Sequence, residues 1–393
     1  MNKLLQWISD FRLIVLLFLA LALFASLQSY FLSPKDFQSG GILYTEYNNY
    51  TIFKQSFFHL NERKDLYFPY PMEHWDLYKY SPTFSLLFGI FAVLPDVVGL
   101  SLWNACNVLI LVLAVFYLPR LSDKQKGLIL ITCVIEAMTS VQSEQSNGLM
   151  AGLIVLAFGL CERKKLLLAA LCLVLSVYIK IFGLVAFALF LFYPDKWKLF
   201  VFTLFWFIIL FLLPLLVVDF YQLQFLYKSW GHMLSQDHSI SEGISMIGWL
   251  RSWFQVEANK IVVAACGAIL FLVPFLRIKM YGEYLYRLLA LASVLLWIVI
   301  FNHKAESATF IIAMTGAAIW YFMRPPTLVN SILFISAFIF TSLTPTDLFP
   351  KELRDQIFEP YVVKTVPCIL IWGKVIYDMM FYNSRYYLFL PDK

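Results

Sequence analysis

Residues 13–32 read LIVLLFLALALFASLQSYFL, twenty in a row without a charge. As a helix rising about 1.5 Å per residue, such a run covers the roughly 30 Å of hydrocarbon in a bilayer. It is too long for the core of a signal peptide, lacks a small-residue cleavage pattern and is followed by more apolar runs. It therefore reads as a retained first span. The later runs lie at 97–118, 127–141, 148–160, 166–179, 181–193, 199–218, 261–276, 288–302, 307–323, 327–343 and 361–380. Several hold only 13 to 16 residues. Helices that short either stop partway through the membrane or surround a cavity, because lipid tolerates broken backbone only where protein or water covers it. Composition agrees: 61% of the 393 residues are hydrophobic and 14% charged, with a mean hydropathy of +0.74. A soluble domain carries about 25% charged residues. The expectation is one all-α polytopic membrane domain over 1–393.

Lys and Arg in the short loops set its orientation. One set of loops holds Lys3, Arg12, Arg120, Lys124, Lys126, Arg163, Lys164, Lys165, Lys196, Lys198, Arg277, Lys279, Arg287, Arg324, Arg385 and Lys393, sixteen of the thirty basic residues. These loops belong inside. The opposite short loops hold none at 142–147 and only Lys304 at 302–306. Two long polar segments, 33–80 and 219–260, then fall outside. Placing 33–80 outside and 119–126 inside requires an odd number of crossings between them, and 97–118 supplies one. The run Thr83–Pro95 is thus expected to be a re-entrant helix, giving twelve crossings with both termini inside. The net charge of +5 is scattered rather than gathered on one face, which speaks against nucleic acid. The six cysteines lie in or beside apolar runs without a CxxC pair, so neither disulfides nor zinc is expected. No His-x-x-x-His, paired Asp motif or Walker loop suggests a metal centre.

The first outer segment carries the most chemistry. Tyr47, Tyr50, Phe53, Phe57 and Leu60 recur at helical spacing between Glu46 and Asn61, the pattern of a helix lying in the outer interface. Tyr67-Phe68-Pro69-Tyr70-Pro71 follows, then Trp75, Asp76, Tyr78, Lys79 and Tyr80. Aromatic rings with polar rims suit sugar faces, although an aromatic belt at headgroup level gives the same pattern. The acids Asp36, Glu46, Asp65, Glu73 and Asp76 are candidate bases. Lys180 sits at an outer helix end where a cation can meet a lipid phosphate or simply reach for the interface. His303 and Lys304 occupy a short outer loop beside Glu306, either a phosphate clamp or a hydrophilic turn. Gln145 and Asn147, in an outer turn, can bind sugar hydroxyls or cap the next helix. Glu136 lies within an apolar run, where a carboxylate is costly. Arg251 and His238 are weaker candidates.

Lys64-Asp65-Leu66-Tyr67, Tyr80-Ser81-Pro82 opening a short helix, Trp103-Asn104, Glu144-Gln145-Ser146-Asn147 as a degenerate Gly-Gln-x-Asn, and Tyr178-Ile179-Lys180-Ile181-Phe182 occur in an order that resembles glycosyltransferase family 87. These are polyprenyl-phosphate-mannose-dependent mannosyltransferases of the GT-C superfamily. The resemblance covers most of 30–200 and continues more weakly through Ser245–Arg251 and Asn302-His303-Lys304. It implies a GT-C-like bundle that moves a hexose, mannose in the family, from a polyprenyl-phosphate donor to a lipid or glycan acceptor, inverting the anomeric carbon. No cofactor is implied beyond that lipid-linked donor. The implied setting is a bacterial inner membrane with the site facing outward. A carboxylate in the first outer loop would deprotonate the acceptor, and cations would stabilise the leaving lipid phosphate.

The resemblance implies Lys180, His303 and Lys304 as phosphate ligands and Tyr67, Tyr78, Tyr80, Gln145 and Asn147 as sugar or acceptor contacts. The family's Asp, however, falls on Asn49 when counted back from Tyr67 without gaps. The nearest carboxylate is Glu46, expected one turn earlier on the same helical face. Either Glu46 is the base, or another acid is, or the chain has lost transferase activity and serves as an assembly subunit. A transporter or lipid flippase is the rival from another class, and the absence of a visible inverted repeat weighs against it.

Overall fold

The computed structural model describes residues 7–37, 41–236 and 242–383. Among them the chain is helical and forms no strand. A lone bridge between Lys35 and Tyr44, exchanging backbone hydrogen bonds at 2.9 Å, is the one extended pairing found there. The chain opens with α1 (Phe11–Phe31), α2 (Asn48–Asn61), α3 (Pro82–Ala92) and α4 (Asp96–Phe116). Then come α5 (Asp123–Thr132), α6 (Val134–Gln142), α7 (Asn147–Glu162) and α8 (Leu166–Ile179), a 3-10 helix over Ile181–Phe192, and α9 (Lys196–Leu212). The remainder is α10 (Phe220–Gln236), α11 (Met246–Phe254), α12 (Lys260–Leu272), α13 (Tyr284–Ile300), α14 (Phe310–Phe322), α15 (Leu328–Ala337) and α16 (Val366–Met380).

Among the described residues three apolar helices of 21 residues are long enough to cross a bilayer unaided: α1, α4 and Lys196–Leu216, where a 3-10 turn extends α9. Eight further apolar helices among the described residues are shorter, at 10–17 residues. The apolar run 127–141 is broken at Cys133 into α5 and α6. The run Thr83–Pro95 forms an 11-residue helix, about 16 Å long and half of what a crossing needs. The core runs along α4, α7, α13 and α14. Glycine allows the closest approach there, since a Cβ on Gly152 would come 2.8 Å from the Ile110 backbone.

Two expectations change. The helix expected between Glu46 and Asn61 starts at Asn48, so Glu46 lies in the preceding turn and shares no helical face with Asn49. The reason is local: the Lys35–Tyr44 bridge draws the chain back, and Lys35 Nζ reaches Glu46 Oε1 at 2.7 Å. Nor does the aromatic stripe of α2 face outward as an interfacial helix requires. Tyr50, Phe53 and Leu60 are buried, and the Phe53 ring meets Tyr80, Phe84, Phe88 and Trp103 edge-on. Packing these rings against α3 and α4 removes more apolar surface from water than resting on headgroups would.

Glu136 on α6 is fully buried and meets Lys364, whose Nζ donates to Oε1 at 2.9 Å and Oε2 at 3.1 Å. The third ammonium hydrogen goes to Ser307 Oγ at 2.9 Å, which uses all three donors. Glu136 is thereby committed to an internal ion pair.

Candidate active site

Ser81 caps α3 through the Phe84 amide, and its hydroxyl also donates to the Tyr178 carbonyl at 2.6 Å. One residue thus ties the start of the short helix to the end of α8. Two residues further on, Lys180 adopts extended backbone (φ −141°, ψ 124°) and breaks α8 from the 3-10 helix. Its side chain lands on the turn between α6 and α7. There Nζ donates to Asn147 Oδ1 at 2.8 Å and Gln145 Oε1 at 3.2 Å, and lies 5.7 Å from the Tyr80 ring and 5.8 Å from Phe182. Asn147 Nδ2 donates to Gln145 Oε1 at 2.9 Å, and Gln145 Nε2 to Glu306 Oε2 at 2.5 Å. Ser146 Oγ lies 3.3 Å from the Tyr80 hydroxyl. Lys180, Gln145, Asn147, Glu306 and Tyr80 therefore form one polar cluster built from four separate stretches of sequence. Burial lowers the Lys180 ammonium to a pKa of about 8, with Lys79 acting in the same direction and Glu306 against it.

His303 and Lys304 stand on the loop that ends in Glu306. Ile244 N donates to the Ala305 carbonyl at 2.8 Å, pinning this loop to the start of the α11 segment. Arg251, on α11, pairs with Glu242 at 2.6 Å and is exposed; His238 lies outside the described residues. Tyr67 and Tyr78 are buried, and their hydroxyls donate to the carbonyls of Tyr80 and Ser81 at 2.9 and 2.8 Å. Both shape the backbone under Tyr80 rather than join the cluster.

The acids of the segment 33–80 separate by their partners. Asp65 accepts from Ser229 and the Tyr67 amide, Glu73 meets His59 Nε2 at 2.9 Å, Asp76 pairs with Lys79, and Asp36 accepts from the Gly41 amide. Glu46 and Asn49 come against the turn before Gln145. Asn49 Nδ2 donates to the Ser143 carbonyl at 2.8 Å, while Glu46 is close enough to Glu144 to perturb it.

Glu144 itself is the residue that sequence reasoning missed. Its side chain is 1% exposed and accepts from Ser29 of α1 at 3.0 Å. Trp103 Nε1 donates to its carbonyl at 2.7 Å. Burial pushes its carboxyl well above the usual carboxylate range, and Glu46 adds to this against the Ser29 hydroxyl. Its φ of +48° lies in the left-handed region that glycine favours. The signal was present, because the motif resembled here has Gly at this position; a Glu in its place accepts backbone strain of about 1–3 kcal/mol.

The apolar helical bundle is that of a membrane protein, and it carries this polar cluster between helix ends. The profile of glycosyltransferase family 87 matches residues 78–343 of the 393, and the chain belongs to that family. By that membership it is a membrane glycosyltransferase. Curated proteins give no match to it. The match takes in Tyr80, Gln145, Asn147, Lys180 and His303 and begins after Glu46 and Asn49.

Proposed function

We propose that this glycosyltransferase transfers a hexose, mannose in the first instance, from a polyprenyl-phosphate donor to a lipid or glycan acceptor at the outer face of a bacterial inner membrane, with inversion. The observation that carries the reading is the half-buried Lys180 at a helix break, set among the amides of Gln145 and Asn147. A cation held there is suited to a phosphate as negative charge develops on the leaving lipid. Tyr80, Gln145 and Asn147 offer a ring face and amides to the sugar, His303 and Lys304 lie on the neighbouring loop, and Glu46 serves as the base. The lipid-linked sugar is the donor substrate, and no further cofactor takes part. The reading places this GT-C-like chemistry in a bundle of about twelve crossings with α3 re-entrant.

The direct test supplies radiolabelled mannose on polyprenyl phosphate to the full chain in nanodiscs. Mass spectrometry of lipid-linked glycans before and after deletion of the protein identifies the product. Sugar transfer from the lipid donor is the expected result. Absence of transfer with every lipid-linked hexose and pentose tried would leave the assembly-subunit reading in its place.

Lys180→Ala is expected to cut kcat/KM for the donor roughly 10- to 150-fold, the worth of a charge-assisted hydrogen bond to phosphate. The pH profile carries the same signature. With its pKa lowered to about 8, Lys180 holds its charge below that pH and loses it above. Donor kcat/KM in the wild type then falls about tenfold per unit above pH 8, since that ratio reports groups of the free enzyme. A flat profile to pH 10, or full activity of Lys180→Ala at subsaturating donor, would make Lys180 an interface anchor.

Orientation is checked by cysteine labelling with an impermeant reagent. Exposed Asp347→Cys is expected to react from outside, and Lys124→Cys and Lys198→Cys only after permeabilisation. Reaction of Lys124→Cys from outside would make α3 a full crossing.

A further inference from the structure

At the Lys- and Arg-rich end of the bundle most cations have a partner. Lys126 pairs with Asp123, Arg287 with Glu162 and Arg324 with Asp378. Arg277 donates to the carbonyls of Met379, Met380 and Tyr382. The turns at 163–165 and 194–198 differ. They gather Lys164, Lys165, Lys196 and Lys198 around two adjoining cavities of about 430 and 450 Å³, which share Lys164, Leu166 and Asp195 as walls. The acids there are already taken. Asp195 pairs with Lys198 at 3.0 Å, and Glu162 receives Arg287 at 2.6 Å and the Tyr193 hydroxyl at 2.7 Å. Lys164, Lys165 and Lys196 pair with no acid among the described residues. The rule that places basic residues at this end explains their side of the membrane but not their convergence. Like charges brought together repel unless an anion sits among them.

Two further features give that anion a shape. The first turn of α8, Leu166–Leu168, lines one cavity without a side-chain cap, so its amides are available as donors. The wall toward the bilayer is apolar and exposed, through Leu167, Leu168 and Leu191. A soluble phosphate has no use for such a wall, whereas an acyl chain does. Basic pockets between transmembrane helices are where anionic headgroups bind.

We propose that this cleft binds the phosphodiester headgroup of an anionic phospholipid, with Lys164, Lys165 and Lys196 around the phosphate and the acyl chains along Leu167, Leu168 and Leu191. The site lies at the opposite end of α8 from Lys180 and is independent of the transfer reaction.

The test uses the full chain in nanodiscs of phosphatidylcholine containing a minor fraction of phosphatidylglycerol, with native mass spectrometry counting the phosphatidylglycerol retained. The variant Lys164→Gln/Lys165→Gln/Lys196→Gln changes only cations outside the core and is expected to lower affinity on the order of 100-fold, about fivefold per lysine. The control Lys124→Gln/Lys279→Gln, two exposed cations at the same end, is expected to retain the lipid. Equal retention by wild type and triple variant, or equal loss in the control, overturns the proposal. Calorimetry with inorganic phosphate in phosphatidylcholine nanodiscs separates the sources. Binding of phosphate that matches phosphatidylglycerol and vanishes in the triple variant would assign the cleft to a soluble phosphate and overturn the lipid.

Discussion

Glu46→Gln is expected to lower sugar transfer at least about 100-fold with little change in donor affinity, because general-base catalysis is typically worth 10²–10⁴-fold and the substitution keeps size while removing basicity. Glu46 and Asn49 both come against the turn at 143–144, yet they stand in different states. The Asn49 amide is committed to the Ser143 carbonyl, and an amide cannot take a proton at neutral pH. Glu46 carries the carboxylate, in the turn ahead of α2 and next to Lys35. Amide variants of Asp36, Asp65, Glu73 and Asp76 measured in parallel locate the base if it lies elsewhere. Wild-type turnover by Glu46→Gln, with collapse in one of those four, moves the role to that residue. Full activity in all five moves it to Glu306, which already touches the Lys180 cluster through Gln145. Glu136 is then no alternative, being fully buried and held by Lys364.

That ion pair carries the second large effect. Lys364→Met leaves the Glu136 carboxylate buried with its main partner gone, and breaking one side of such a pair typically costs about 3–5 kcal/mol. Unfolding titrations in mixed micelles should show a loss of that size, whereas Lys364→Met/Glu136→Leu should recover most of it, because two apolar groups of similar volume need no pairing. A loss below about 1 kcal/mol in the single variant would mean that water reaches the pair. The variant also bears on the site: Lys364 holds Ser307, the residue after Glu306.

Much of this was legible in the sequence. Uncharged runs give spans because hydrocarbon offers the backbone no partner, and counting crossings between two polar segments predicts a short helix before α4. Lys180, Gln145 and Asn147 stood out because each is polar at the end of an apolar run. Their mutual bonding could not be read, since it depends on how α6, α7 and α8 pack. The partners of the aromatic residues could not be read for a related reason. Tyr67 and Tyr78 carry the same amphipathic ring whether it faces a ligand or a backbone carbonyl, and here both hydroxyls found carbonyls. The expected helical face joining Glu46 to Asn49 failed because one bridge, Lys35 to Tyr44, delays the helix by two residues. Glu144 went unread because a motif position was weighed for its resemblance rather than for its backbone angle.

The segment Ile181–Phe192 holds twelve residues in 3-10 conformation. At about 2.0 Å per residue it reaches roughly 24 Å, where an α-helix of equal length stops near 18 Å. A stretch that looks brief by its residue count thus reaches further than an α-helix would, joining Lys180 at one end to the lysine-lined cleft at the other. Span prediction counts residues on the assumption of a single pitch, but a bilayer is measured in ångströms, and a stretched coil satisfies it with fewer letters.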